Sequence, residues 1–310
     1  MKISTLKNKG LILAVTTALF WGLLAIGLKM ALAFFDSYTI VWIRFTSAAL
    51  MLIGYYAVKN REALRIFKKP PPMLVVASIL LGVNYIGFMQ GVHYSDPATA
   101  QILIQLGAVT LGVLGFVLFK EKITKIRLIG FLTALVGFTF FYYHQFSIAQ
   151  VNKESFNQGV VWLVVAAWSW TGYALLSKLL VRHHAPQHIN MFIYTLPAIL
   201  FTPLADFSTF QQEFPWWIWP LMFFLCINTV IAYGALAEAF KYIEANQISI
   251  IITLNPIITF ICLEIMLVLN IDWIPIPNFD ALTYIGALLV IAGAVVAAGF
   301  SKTNESVREG

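Results

Sequence analysis

The chain predicts an all-α integral membrane protein: ten transmembrane helices arranged as two inverted five-helix repeats. Three observations carry that reading. Ten apolar runs, almost free of charge, fill the sequence from Gly10 to Phe300. Lys and Arg cluster in alternate segments between those runs. The first half of the sequence recurs, in outline, in the second.

The apolar runs set the class. A bilayer core about 30 Å thick needs roughly 20 apolar residues to be crossed as a helix. Charge-free stretches include Gly10–Leu28, Pro71–Val92, Pro97–Phe119, Ser155–Ser177, Phe214–Ala237 and Ala281–Phe300. Hydrophobic residues make up 60% of the chain and charged residues 11%, against about 25% charged in soluble domains. The spans predicted in order are 10–32, 38–58, 72–92, 97–119, 126–144, 158–181, 187–205, 215–238, 245–269 and 281–300. Breaks fall at Asp36-Ser37, at Lys68-Lys69 with Pro70, Pro71 and Pro72, at Asp96-Pro97 and at Asp280.

Charge orients the bundle. With the N-terminus in the cytoplasm, the inside segments hold 17 of the 20 Lys and Arg residues, and Lys29, Arg44 and Lys153 are the remainder. This excess follows the positive-inside rule and places both termini in the cytoplasm. The basic balance is thus a topology signal and does not point to nucleic acid. Lys2, Lys7 and Lys9 before an apolar run, then Ala31-Leu32-Ala33, resemble a secretory signal, but the run is too long for one and Lys29 lies between it and the would-be cleavage site. Cys226 and Cys262 lie within apolar runs and read as packing residues.

The repeat divides the chain into 1–150 and 151–310. At an offset of 149, Gly10 meets Gly159, Trp21 meets Trp170 and Lys29 meets Lys178. At 148, Tyr85 meets Tyr233, Tyr94 meets Tyr242 and Asp96 meets Glu244. Ile129, Gly130 and Gly137 recur as Ile285, Gly286 and Gly293, so the loop around Ile271–Asn278 carries about eight extra residues. Five spans is an odd number, so the second copy enters the membrane from the opposite side. Inverted repeats of this kind recur in transporters, where two packings of similar energy open to opposite faces around a midplane site.

These residues resemble the EamA-type, ten-helix members of the drug/metabolite transporter superfamily, over about residues 10–300. The family's half-repeats carry a Trp in the first helix, Arg-Phe in the second, Glu closing the fourth and spaced Gly in the fifth. Here Trp21 and Trp170, Arg44-Phe45, Glu121 and the Ile129–Gly137 motif with its partner match. The second half departs: Leu269 stands opposite Glu121, and Pro256 faces Ala108. The resemblance implies export or uptake of a small organic solute across a bacterial inner membrane, without ATP, by alternating access.

Candidate residues divide by depth. Charges inside a bilayer are costly, from about 2.5 kcal/mol upward, and are functional candidates by default. Lys29, Arg44 and Glu264 fall roughly 9–12 Å below the outer boundary at 1.5 Å rise per residue. Glu264 is expected to pair with Arg44 or Lys29, as a gate or as a static ion pair. Glu238, at the cytoplasmic end of span 8, is either wetted beside Lys241 or a proton-coupling carboxylate. Trp21, Asn84, Tyr85, Gln105, Trp170, Tyr173, Asn228, Tyr233 and Asn255 gather near the midplane. They read as a polar cavity or, one by one, as interhelical hydrogen bonds and core packing. Trp216, Trp217 and Trp219 suit the interfacial belt. Asn255-Pro256 interrupts span 9 as a hinge or a kink.

No nucleotide-binding or hydrolase motif is present, and no cofactor or metal is expected; His183, His184 and His188 read as a solvated loop. The partners expected are a small organic solute such as an amino acid or an amphipathic cation, lipid, and a proton as candidate coupling ion. The chain holds both halves of its own cavity and is expected as a monomer or weak dimer. An intramembrane transferase using His93 or Glu264, or a channel, are the competing readings.

Overall fold

The computed structural model describes residues 2–119, 125–148, 153–243, 248, 251–276 and 279–298. Lys120, Glu121, Lys122 and Glu244 lie outside these. The helices are α1 (Lys2–Ala31), α2 (Ser37–Lys59), α3 (Pro72–Tyr94), α4 (Pro97–Leu103), α5 (Gln105–Phe119), α6 (Lys125–Ile148), α7 (Lys153–Leu180), α8 (Pro186–Phe201), α9 (Ile218–Ala239), α10 (Asn255–Val268) and α11 (Ala281–Ala298). Of these, α1 from Asn8, α2, α3, α7 and α9 are each long and apolar enough to cross a membrane alone. The shorter helices complete the ten spans: α4 with α5 forms the fourth, and α10 is the main described part of the ninth.

The predicted breaks are helix starts, because their aspartates accept from orphan amides of the first turn. Asp36 accepts from the amides of Tyr38 at 2.8 Å and Thr39 at 3.0 Å, opening α2. Asp96 accepts from Thr99 at 2.9 Å ahead of α4. Asp280 accepts from Thr283 at 2.9 Å ahead of α11. Pro72, Pro97 and Pro186 occupy first-turn positions, where the missing amide costs nothing.

Two boundaries differ from expectation. Span 7 stops as an α-helix at Phe201 and continues as a short 3-10 turn, Thr202–Leu204. Span 4 is not continuous: α4 ends at Leu103, Ile104 forms a turn, and α5 restarts at Gln105. The turn at Thr253-Leu254 ahead of α10 falls within one to two residues of the equivalent place in the other half.

Packing obeys an approximate twofold. α1 lies on α9 and α7 on α3; α2 lies on α8; α6 lies on α11; α1 meets α10 as α7 meets α5. The seam between α6 and α11 shows the sense of the symmetry. A methyl added at Gly137 would sit 2.6 Å from the Val290 amide nitrogen, and one added at Gly293 would sit 2.3 Å from that of Ala134. Gly286 lies against Phe141 in the same way. As one residue number rises the other falls, so the two equivalent helices run antiparallel and the halves are inverted. Outward faces carry large apolar side chains such as Leu19, Leu50, Val136, Val161, Ile199 and Phe223, as lipid contact requires.

Candidate substrate cavity

The two helix interruptions flank a cavity of about 60 Å³ in the middle of the bundle. Discontinuous helices at matching positions in two inverted halves are a recurrent way of placing polar backbone and side chains at midplane depth. Seven of the nine midplane candidates line the cavity: Trp21, Asn84, Tyr85, Gln105, Trp170, Tyr233 and Asn255. Arg44 joins them, with Leu24, Phe88, Gln101, Ile104, Ala108 and Ile252.

The aromatic walls sit on the pseudo-axis. Trp21 and Trp170 meet edge-on with ring centroids 6.0 Å apart. A second equivalent pair, Tyr85 on α3 and Tyr233 on α9, lies 5.4 Å apart. Trp21 also packs on Tyr233 at 5.0 Å. Residues related by a twofold touch only near the axis, so these four rings mark it.

The amides hold the helices in place. Asn84 Nδ2 donates to the Ala166 carbonyl at 3.0 Å, while its Oδ1 accepts from the Tyr233 hydroxyl at 3.2 Å. Gln101 Nε2 donates to the Trp21 carbonyl at 2.7 Å. Gln105 Nε2 donates to the Gln101 carbonyl at 3.3 Å across the break in span 4. Oriented with its nitrogen toward acceptors, Asn255 donates to the Ala18 carbonyl at 3.1 Å and the Ile252 carbonyl at 3.0 Å. Two candidates fall outside the lining. Asn228 ties α9 to α1 through the Phe20 carbonyl at 2.6 Å. Tyr173 is fully buried behind Tyr233, with ring centroids 5.8 Å apart. Gln101 was not among the residues singled out from the sequence; its spacing one turn before Gln105 is the signal that places it beside the same cavity.

Arg44 is the charged residue of the lining. It is 3% exposed. Its Nε donates to the Thr229 hydroxyl at 3.2 Å and the Leu225 carbonyl at 3.3 Å, and its guanidinium lies 4.5 Å from the Tyr85 ring centroid. Nη2 has no hydrogen-bond partner. Among the described residues this buried cation is supported by dipoles and a ring face alone and is under-compensated, since an unpaired buried charge is expensive.

The expected ion pairs of Glu264 are not formed. Its carboxylate accepts from the Tyr284 hydroxyl on α11, and it is absent from the ion pairs of the described residues. Lys29 is engaged elsewhere: Nζ donates to the carbonyls of Val92 at 2.8 Å, His93 at 3.2 Å and Ser95 at 2.8 Å. It thereby caps the carbonyl end of α3, which attracts a cation through both hydrogen bonding and the helix dipole. Glu238 pairs with Lys241 at 3.3 Å and accepts from Tyr242 at 3.3 Å at the end of α9. Trp216 is 80% exposed, in keeping with an outer belt. Glu121, the family-like residue of span 4, lies outside the described residues.

Comparison with known proteins supplies the family. The EamA-like transporter family matches the chain twice, over residues 8–143 and 157–299, one copy in each half. The uncharacterized inner membrane transporter YhbE of Escherichia coli strain K12 is 34% identical over 292 residues, covering 93% of this chain and 91% of that protein. An uncharacterized transporter of Haemophilus influenzae is 32% identical over 291 residues, covering 93% and 94%. A solved crystal structure shares the fold with a TM-score of 0.68 at 15% identity, over 94% of this chain and 97% of that one. With two family copies, ten helical spans and an inverted twofold, the chain belongs to the EamA-like transporter family of the drug/metabolite transporter superfamily.

Proposed function

We propose that this membrane transporter is a secondary-active exporter of small organic solutes, working by alternating access in a bacterial inner membrane with both termini in the cytoplasm. The observation that carries the reading is the position of the cavity. It lies on the pseudo-twofold between inverted halves, walled by helices interrupted at the same place in each. Its 60 Å³ is well below the roughly 300–1,000 Å³ of small-molecule pockets. This conformation is therefore contracted, and loading requires the walls to part at the two interruptions.

Lys29 and Glu238 are committed to helix ends, and Arg44 faces the cavity. Glu264, half-buried against Tyr284 between α10 and α11, is the coupling residue we put to the test. The chain acts as carrier without chemical conversion, as monomer or weak dimer.

Reconstituted protein in proteoliposomes tests this. Saturable counterflow of a labelled solute is expected, driven further by a pH gradient in the native chain and not in Glu264→Gln. Unsaturable flux would make it a channel, and recovery of altered solute would make it an enzyme.

A further inference from the structure

We infer that the central cavity recognises a solute carrying a single negative charge, a carboxylate, with Arg44 as its anchor. The inference rests on the transporter reading and names the substrate class it lacks.

The lining has a strong donor bias. Among the described residues, Arg44 Nη2, Trp21 Nε1 and Trp170 Nε1 are buried N–H groups without a hydrogen-bond partner, against one such acceptor, Gln105 Oε1, and one hydroxyl that can donate or accept, Tyr85 Oη. All five residues are more than nine-tenths buried and line the same cavity. Buried donors are ordinarily satisfied, so three of them around one space call for an acceptor with several lone pairs. A carboxylate offers about four acceptor sites and suits a guanidinium through charge-assisted hydrogen bonds.

Charge fixes the number. Among the described residues no Asp or Glu lines the cavity, and Arg44 is its one formal charge. A monoanion neutralises it, a phosphate dianion would leave excess charge buried, and an amphipathic cation would add repulsion. The cationic solute considered from the sequence is therefore disfavoured. The acid group belongs at Arg44, and the apolar remainder of the solute belongs against the Trp21 and Trp170 rings and Leu24.

The asymmetry of the two halves agrees. α2 and α8 start 149 residues apart, which sets Ile193 opposite Arg44. One half supplies the charge, so the site takes one acid group rather than two.

The test uses purified full-length protein and matched probes: 3-phenylpropionate, 3-phenylpropanamide and 3-phenylpropylamine, with the aliphatic 4-methylpentanoate set beside them. Thermal unfolding is followed with each probe. Stabilisation by the acids and not by the amides or amines is expected. Arg44→Gln should weaken the acid response by about 10- to 100-fold in apparent affinity, and Arg44→Lys should recover part of it. Equal stabilisation by amide or amine, no stabilisation by any acid, or an undiminished acid response in folded Arg44→Gln overturns the proposal. The acid-to-amide comparison on the native chain stands even if the variant does not fold. Counterflow separates this from the transporter reading. A chain that exchanges an amine keeps that reading and loses the acid site. A chain that binds acid through Arg44 and exchanges nothing keeps the site and loses the transporter reading.

Discussion

Trp21 and Trp170, equivalent residues of the two halves, meet edge-to-face at 6.0 Å with their ring planes at 78°. Each ring thus packs against its own counterpart, and the contact bridges the halves at the cavity wall. Aromatic pairs in this geometry contribute about 0.5–1.5 kcal/mol beyond burial. A double-mutant cycle of Trp21→Leu and Trp170→Leu, read by thermal or denaturant unfolding, should give a coupling energy in that range. Strict additivity would mean the rings do not interact.

The α6–α11 seam gives a sharper prediction. At Gly293 a new Cβ meets Ala134 N at 2.3 Å and the Gly130 carbonyl at 2.8 Å, both backbone atoms that cannot swing away. Gly293→Ala should destabilise by about 1–3 kcal/mol or more. At Gly54 nothing lies within 4 Å, and Gly54→Ala should be neutral or stabilise by up to about 1 kcal/mol through helix propensity. Melting temperatures of the two variants in one detergent decide the point; similar losses would contradict the seam.

Lys29→Met should lower stability by about 1.5–3 kcal/mol, the range for hydrogen bonds to a charged group, because three carbonyls at the end of α3 lose their donor. Its signature is a drop in unfolding midpoint without a change in the pH dependence of transport. A shifted pH profile would restore Lys29 as a coupling residue.

Asp280 supplies an acid-sensitive contribution. The Thr283 amide bonded to its carboxylate holds it below the usual range, with the Thr283 hydroxyl and His144 acting in the same direction. Its folded pKa is lowered, so its stabilisation is present above the ordinary value of 3.8 and is lost as pH falls through the depressed one. Asp280→Asn should flatten that part of the acid limb in pH-dependent melting curves. An unchanged limb would assign the acid loss to other groups.

The repeat and the charge asymmetry made the architecture legible, because lipid forces apolar length and loop charge to follow topology. The same logic found most of the cavity: polar and aromatic residues at midplane depth have few other reasons to be there. It failed where contact, not depth, decides. Lys29, Arg44 and Glu264 share a depth yet face three different neighbours, the α3 carbonyls, the Tyr85 ring and the Tyr284 hydroxyl. Depth is additive along a helix, but azimuth depends on which helix packs alongside. The break at Ile104 was equally hidden, since no proline marks it as Pro256 marks its counterpart.

The glycine seam also says how the halves have been free to diverge. Gly137 presses on the backbone of Leu289 and Val290, and Gly293 on that of Ala134 and Gly130, so an enlargement in either copy collides with the main chain of the other half. Around the rings the two copies differ: Asn84 stands opposite Ala232, and Arg44 opposite Ile193. The cavity lining thus differs between the halves, with Arg44 on one side and, among the described residues, no second charge on the other, while the seam that holds the halves together is the same in both.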